Sequence, residues 1–171
     1  MPKLKRIPLL TILVVFLVLQ SAVMYYCERA DLIPYFSLEF VVFLFSIYFL
    51  SQSFLKRFVW GLYFSVLGVQ TASIFSTGQF LVPLALSNAA EFAALGIASF
   101  IKTAAVFIAY VILSFLLYPG RSVSVKKINQ LAIFSIGVVL LFFTRGPFHE
   151  FFVTGKLYYM QVTGDAANLL I

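Results

Sequence analysis

The chain has 171 residues and a formal net charge of +6; 63% of its residues are hydrophobic, 18% aromatic and 11% charged, with a mean hydropathy of +1.05. A soluble domain carries ~25% charged residues, so this composition excludes an ordinary soluble fold and implies an all-α integral membrane protein. The basic residues stand in short flanks between apolar runs, where they orient helices rather than bind nucleic acid, and the single cysteine, Cys27, excludes an internal disulfide and a cysteine-built metal site.

Lys3, Lys5 and Arg6 precede an apolar run over 7–26, a length that matches a ~30 Å hydrocarbon core and exceeds a signal-peptide core. This predicts an uncleaved first span, with Pro8 near its start and Tyr25, Tyr26 and the cluster Glu28, Arg29 and Asp31 marking the far interface. A second span is expected over 34–55, ending at Lys56 and Arg57, and a third over 58–75. A fourth is expected over 96–118, stopped by Pro119-Gly120, and a shorter fifth over 128–144. Together they predict a bundle of about five transmembrane helices, with no internal repeat and no β-barrel alternation.

The long interruption is 76–95, an outer loop that carries one charge, Glu91, and contains Gly78, Pro83 and Asn88, which break or cap helices. A segment this apolar is expected to lie on the bilayer surface, either as a functional lipid-facing element or as an ordinary loop. Asn88 and Glu91 have the spacing of an N-cap and the third residue of the helix that follows. Residues 145–171 form a tail on the same side. After Gly146-Pro147 it becomes aromatic, and Phe148, Phe151, Phe152, Tyr158 and Tyr159 are expected to anchor it at the interface.

Orientation follows from the basic residues. Lys3, Lys5, Arg6, Lys56, Arg57, Arg121, Lys126 and Lys127 fall on the side of the N-terminus, against Arg29, Lys102, Arg145 and Lys156 toward the other. The asymmetry places the N-terminus in the cytoplasm and the C-terminal tail outside. All of the acidic residues fall toward the outer side.

No catalytic constellation is visible in these residues. One histidine, His149, cannot build a His-rich metal site, and no Gly-rich phosphate loop follows a strand. Charges inside spans carry more information, because an acid or base at mid-span costs ~2.5–3.5 kcal/mol even on a lenient insertion scale. Glu39 and Lys102 both lie ~7–9 Å below the outer ends of their helices at 1.5 Å per residue. Three roles stay open for them: snorkelling, a mutual structural pair, or a lipid-headgroup site shared with Glu91 and Asn88.

Five membrane helices, a cytoplasmic N-terminus, an outward tail and the run QTASIFSTGQFLVPLALSNAAEFAALG resemble the N-terminal membrane domain of bacterial phosphoethanolamine transferases, which share this plan with lipoteichoic acid synthases. The matching local features are Gly78, Asn88 and Glu91. The resemblance implies a bacterial inner-membrane anchor that presents a lipid substrate, phosphatidylethanolamine among the candidates, for modification of cell-envelope lipid or glycan. It also implies a soluble alkaline-phosphatase-like domain with a threonine nucleophile and zinc ligands, none of which has a counterpart among these residues. The apolar ending Ala166–Ile171 is expected to lead into a linker of a longer protein. Two other readings stand beside this one: a noncatalytic small membrane subunit or assembly partner, and a transporter component with Glu39 and Lys102 along a polar path.

Overall fold

The computed structural model describes residues 8–78, 80, 96–119 and 127–154. Among the described residues five long helices are formed: α1 (Leu9–Tyr26), α2 (Ile33–Tyr48), α3 (Ser53–Thr77), α4 (Gly96–Leu116) and α5 (Lys127–Leu141). A 3-10 turn, Ala30–Leu32, joins α1 to α2, and the short α6 (Pro147–His149) runs into a π turn over Glu150–Thr154. Among the described residues there is no strand. Three stretches among the described residues are long and apolar enough to cross a membrane: Leu9–Tyr26, Ala30–Tyr48 and Ser53–Thr77. The described apolar parts of the next two, Ile101–Leu116 and Asn129–Leu141, are shorter.

Chain punctuation explains where these helices begin and end. Pro8 caps α1 in extended conformation, and Ile12 N–H donates to its carbonyl at 3.1 Å. At the other end the Arg29 N–H returns to Met24 O at 2.9 Å and the Glu28 N–H to Tyr25 O at 3.1 Å, the paired bonds of a Schellman cap. That motif puts Glu28 at φ 57°, a left-handed position that usually falls to glycine. Gly78 closes α3 in the same way at φ 72°, with its N–H on Ile74 O at 2.8 Å, so the expected helix breaker acts as a left-handed C-terminal cap.

The boundary between the second and third helices differs from the sequence reading. α2 stops at Tyr48 rather than near Leu55, and α3 already contains Lys56 in its first turn. The loop between them is fixed by Gln130 of α5, whose side-chain oxygen accepts from Ser51 Oγ at 2.6 Å and Ser51 N at 3.3 Å. A serine whose side chain and N–H are both satisfied by another helix gains nothing from continuing its own, which favours the turn. Lys56 is accordingly buried, with its ammonium 6.0 Å from the centre of the Tyr118 ring. α5 also ends early, at Leu141, where the Thr144 hydroxyl donates back to Leu141 O at 2.8 Å.

The core is aromatic. Phe16 of α1 stacks on Phe40 of α2 at 3.6 Å between ring centres, Phe43 stacks on Tyr63 of α3 at 3.8 Å, and Phe64 meets Phe16 edge-on at 6.1 Å. α3 packs most extensively on α4, and α2 on α5. Trp60 of α3 ties its indole N–H to Ser114 O of α4 at 2.7 Å. Small residues set the closest approaches, as they do where backbones of apolar helices meet. A Cβ on Gly137 of α5 would fall 1.7 Å from Ser46 Oγ and 2.5 Å from Ser46 Cβ on α2. Gly137→Ala is therefore expected to destabilise the bundle by about 1–3 kcal/mol, and adding Ser46→Gly should restore part of the loss. Unfolding midpoints of the single and double variants in detergent check this.

Candidate functional site

Two polar features lie toward the end of the bundle where α1 and α3 finish and α2 and α4 begin. The first is a pocket of about 360 Å³ lined by Tyr26, Cys27 and Glu28 from α1 and its cap, Phe75 and Ser76 from α3, and Lys102 from α4. Tyr26 and Phe75 stack at 5.8 Å and form an aromatic wall. Ser76 donates to Ala72 O at 2.8 Å and also bonds the Thr103 hydroxyl, joining α3 to α4 beside the pocket. Lys102 and Glu28 are both exposed at this pocket, and among the described residues neither has an ion-pair partner within 4.0 Å. The left-handed cap of α1 places Glu28 here, so a residue in an unfavourable backbone region supplies the acidic wall.

The turn beside the pocket is braced by Arg29. Its guanidinium bonds both Asp31 oxygens, at 3.0 and 3.1 Å, and donates to the carbonyl of Gly78 at the end of α3. Hydrogen bonding to Asp31 raises the Arg29 pKa further above its ordinary value, so the brace stays charged. Burial pushes the Cys27 thiol up. That direction disfavours the thiolate, the form in which a cysteine acts as a nucleophile.

The second feature centres on Glu39 of α2, which is fully buried. Its two oxygens accept the Phe148 N–H at 2.9 and 3.1 Å, and the Thr144 hydroxyl approaches one of them at 3.5 Å. The buried Tyr63 hydroxyl lies beside the carboxylate but falls short of hydrogen-bond geometry. Gly146 makes room for this arrangement, since a Cβ there would sit 2.4 Å from Glu39 Oε2 and 2.8 Å from Glu39 Cβ. The chain reaches Gly146 through Arg145 at φ 53° and then turns into α6.

Glu39 and Lys102 therefore do not form the pair that their similar depth suggested. Depth along a helix says nothing of azimuth: α2 packs on α1 and α5 while α4 packs on α3, so the two side chains serve different features. Three of the five expected anchor aromatics, Phe148, Phe151 and Phe152, lie in the described part of the tail. Phe148 packs against the core, meeting Phe142 at 5.7 Å and Phe152 at 4.5 Å, because its own N–H is held by Glu39. Phe151 contacts Phe152 at 5.0 Å, and Phe152 remains 40% exposed. His149 Nδ1 lies 3.5 Å from Glu150 Oε1. Asn88, Glu91, Tyr158 and Tyr159 lie outside the described residues.

Sequence reasoning missed Glu28, Ser76 and Gly146. Glu28 was readable as an unusual residue at a helix C-terminus, and Gly146 only through the close contact it permits. Among the described residues no group of three or more His, Cys, Asp or Glu side chains is placed to hold a metal ion. The zinc implied by the resemblance would belong to a catalytic domain, not to these helices. No family model matches the chain, and neither a curated protein nor a solved structure matches it.

Removing Glu39 strands a buried backbone N–H, so Glu39→Ala should cost about 1–3 kcal/mol. Lys102→Ala should combine with it additively within about 0.5 kcal/mol. Unfolding of both single variants and the double variant closes the cycle, and a coupling well above that margin would restore the direct pair.

Proposed function

We propose that the chain is a polytopic membrane protein that holds a lipid headgroup in the Lys102–Glu28 pocket, as the membrane half of a phosphoethanolamine-transferase-like system. The observation that carries this reading is a cation and a carboxylate, neither with an ion-pair partner among the described residues, facing a single pocket walled by Tyr26 and Phe75 at the ends of three helices. An ammonium on one wall and a carboxylate on the other suit a zwitterionic headgroup, the lysine taking phosphate and the acid taking an amine. Aromatic rings at that level suit a membrane interface.

The remaining parts of the proposal fit the same frame. α4 spans 21 residues, about 31 Å at 1.5 Å per residue, so a fourth crossing is compatible with its length. The shorter α5 would complete the fifth by leading into the turn seated on Glu39. In a bacterial inner membrane the basic asymmetry puts the pocket on the outer face, where cell-envelope lipids are modified. Phosphatidylethanolamine is the candidate ligand, and a separate catalytic domain would supply the transfer chemistry.

A second reading, a noncatalytic subunit of a larger complex, is favoured by the apolar groove of about 350 Å³ between α2 and α5, lined by Val41, Phe45, Ile133, Ile136 and Leu140. Lipid binding separates the two readings. Purified full chain, titrated in nanodiscs of phosphatidylcholine with added phosphatidylethanolamine or phosphatidylglycerol, is expected to enrich phosphatidylethanolamine. Lys102→Ala and Glu28→Ala should each weaken that enrichment about tenfold, equivalent to 1.4 kcal/mol, with unfolding midpoints unchanged. Equal affinity in wild type and both variants would remove the headgroup reading.

A further inference from the structure

Below the pocket, α1, α3 and α4 enclose a polar cluster that neither the headgroup reading nor the Glu39 seat uses. Gln20, Thr71 and Tyr110 are buried at 2%, 0% and 6% exposure in an otherwise apolar interior. The Tyr110 hydroxyl donates to the Gln20 side-chain oxygen, and Thr71 lies beside the same hydroxyl. Gly68 allows this approach by letting the Tyr110 Cβ come within 3.0 Å of where its own Cβ would be.

The inventory of donors and acceptors does not close. Gln20 Nε2 and Thr71 Oγ1 are both buried and have no hydrogen-bond partner among the described residues. Exchanging the Gln20 amide atoms does not help, because Tyr110 can satisfy only one of them and the other is left unpaired in either orientation. Thr71 does not make the usual bond to a carbonyl one turn back, although Ser65, Ser76 and Thr77 on the same helix all do, at 2.8, 2.8 and 2.9 Å. Beside it stands the Tyr110 hydroxyl of α4. Buried polar atoms in an apolar surrounding are rarely left without partners, and an internal water with two to four such neighbours is the common solution.

We propose that α1, α3 and α4 bind a water molecule inside the bundle, held by the Gln20 amide, the Thr71 hydroxyl and the Tyr110 hydroxyl. The Gln20 N–H donates to it, the water can donate to the Tyr110 oxygen, and Thr71 exchanges a hydrogen bond with it in either sense. The site lies roughly 8–12 Å below the pocket, counting residues from Thr71 to Ser76 and from Tyr110 to Lys102. The water site is independent of whether the pocket takes a lipid.

The test uses the full chain in lipid bilayers and solid-state NMR, following magnetisation transferred from water to side chains. Thr71 is expected to receive it about as fast as Ser76 at the pocket and several-fold faster than Leu67 one turn below. Transfer to Thr71 as slow as to Leu67 would overturn the proposal. Thr71→Val supplies an independent readout, since it removes the hydroxyl with little change of shape. With a bound water it should lower the Tm by about 2–4 °C, whereas in a dry site the loss of an orphan hydroxyl leaves Tm unchanged or raises it, which also overturns the proposal.

Discussion

Both oxygens of the Glu39 carboxylate accept one backbone N–H, that of Phe148, from a turn more than a hundred residues later in the chain. A backbone amide inside an apolar bundle has no water to turn to, and a carboxylate there is tolerated only with donors around it. Each group makes the other's position possible. α5 stops short at Leu141, Thr144 closes its last turn and leans toward the carboxylate, and Gly146 gives up its side chain so that the backbone can come close. Phe148 then enters the core instead of leaving for the interface, and α6 rests on α2 and α3 together. Without Glu39 the short α5 would present an uncapped turn to an apolar interior.

A second group of polar contacts holds the other side of the bundle. Arg29 links the α1–α2 turn to the end of α3, and Ser76 links α3 to α4. These contacts leave an opening in which Glu28 and Lys102 stand without partners among the described residues. Glu39 and Arg29 place their hydrogen bonds in the architecture, whereas Lys102 and Glu28 make no ion pair among the described residues. That division is why the headgroup proposal rests on Lys102 and Glu28 and not on Glu39.

Much of the helical plan was legible in the sequence. Apolar runs separated by the Glu28–Asp31 cluster, by Gly78 and by Pro119-Gly120 predicted the helices in their observed order, because breakers and charges act locally. The α2–α3 boundary was not legible, since Ser51 stops the helix with help from Gln130 on a distant element. The fate of Glu39 was hidden for the same reason: periodicity gives the depth of a residue, but its partner is chosen by which helices become neighbours. Lys102 was correctly singled out as a charge needing explanation, yet its neighbours Glu28 and Ser76 looked like an interface marker and an ordinary helix serine. Phe148 shows the converse error, where an aromatic-rich pattern typical of an interface was read without the backbone bond that draws it inward.

The dependence of the α5–α6 turn on Glu39 is tested most directly by hydrogen exchange at one amide. In the full chain in detergent, the Phe148 N–H should exchange slowly in wild type and at least tenfold faster in Glu39→Ala, with amides in the middle of α1 and α3 unchanged. A Phe148 amide equally protected in both proteins would contradict the account, because the turn would then be held by something other than the buried carboxylate.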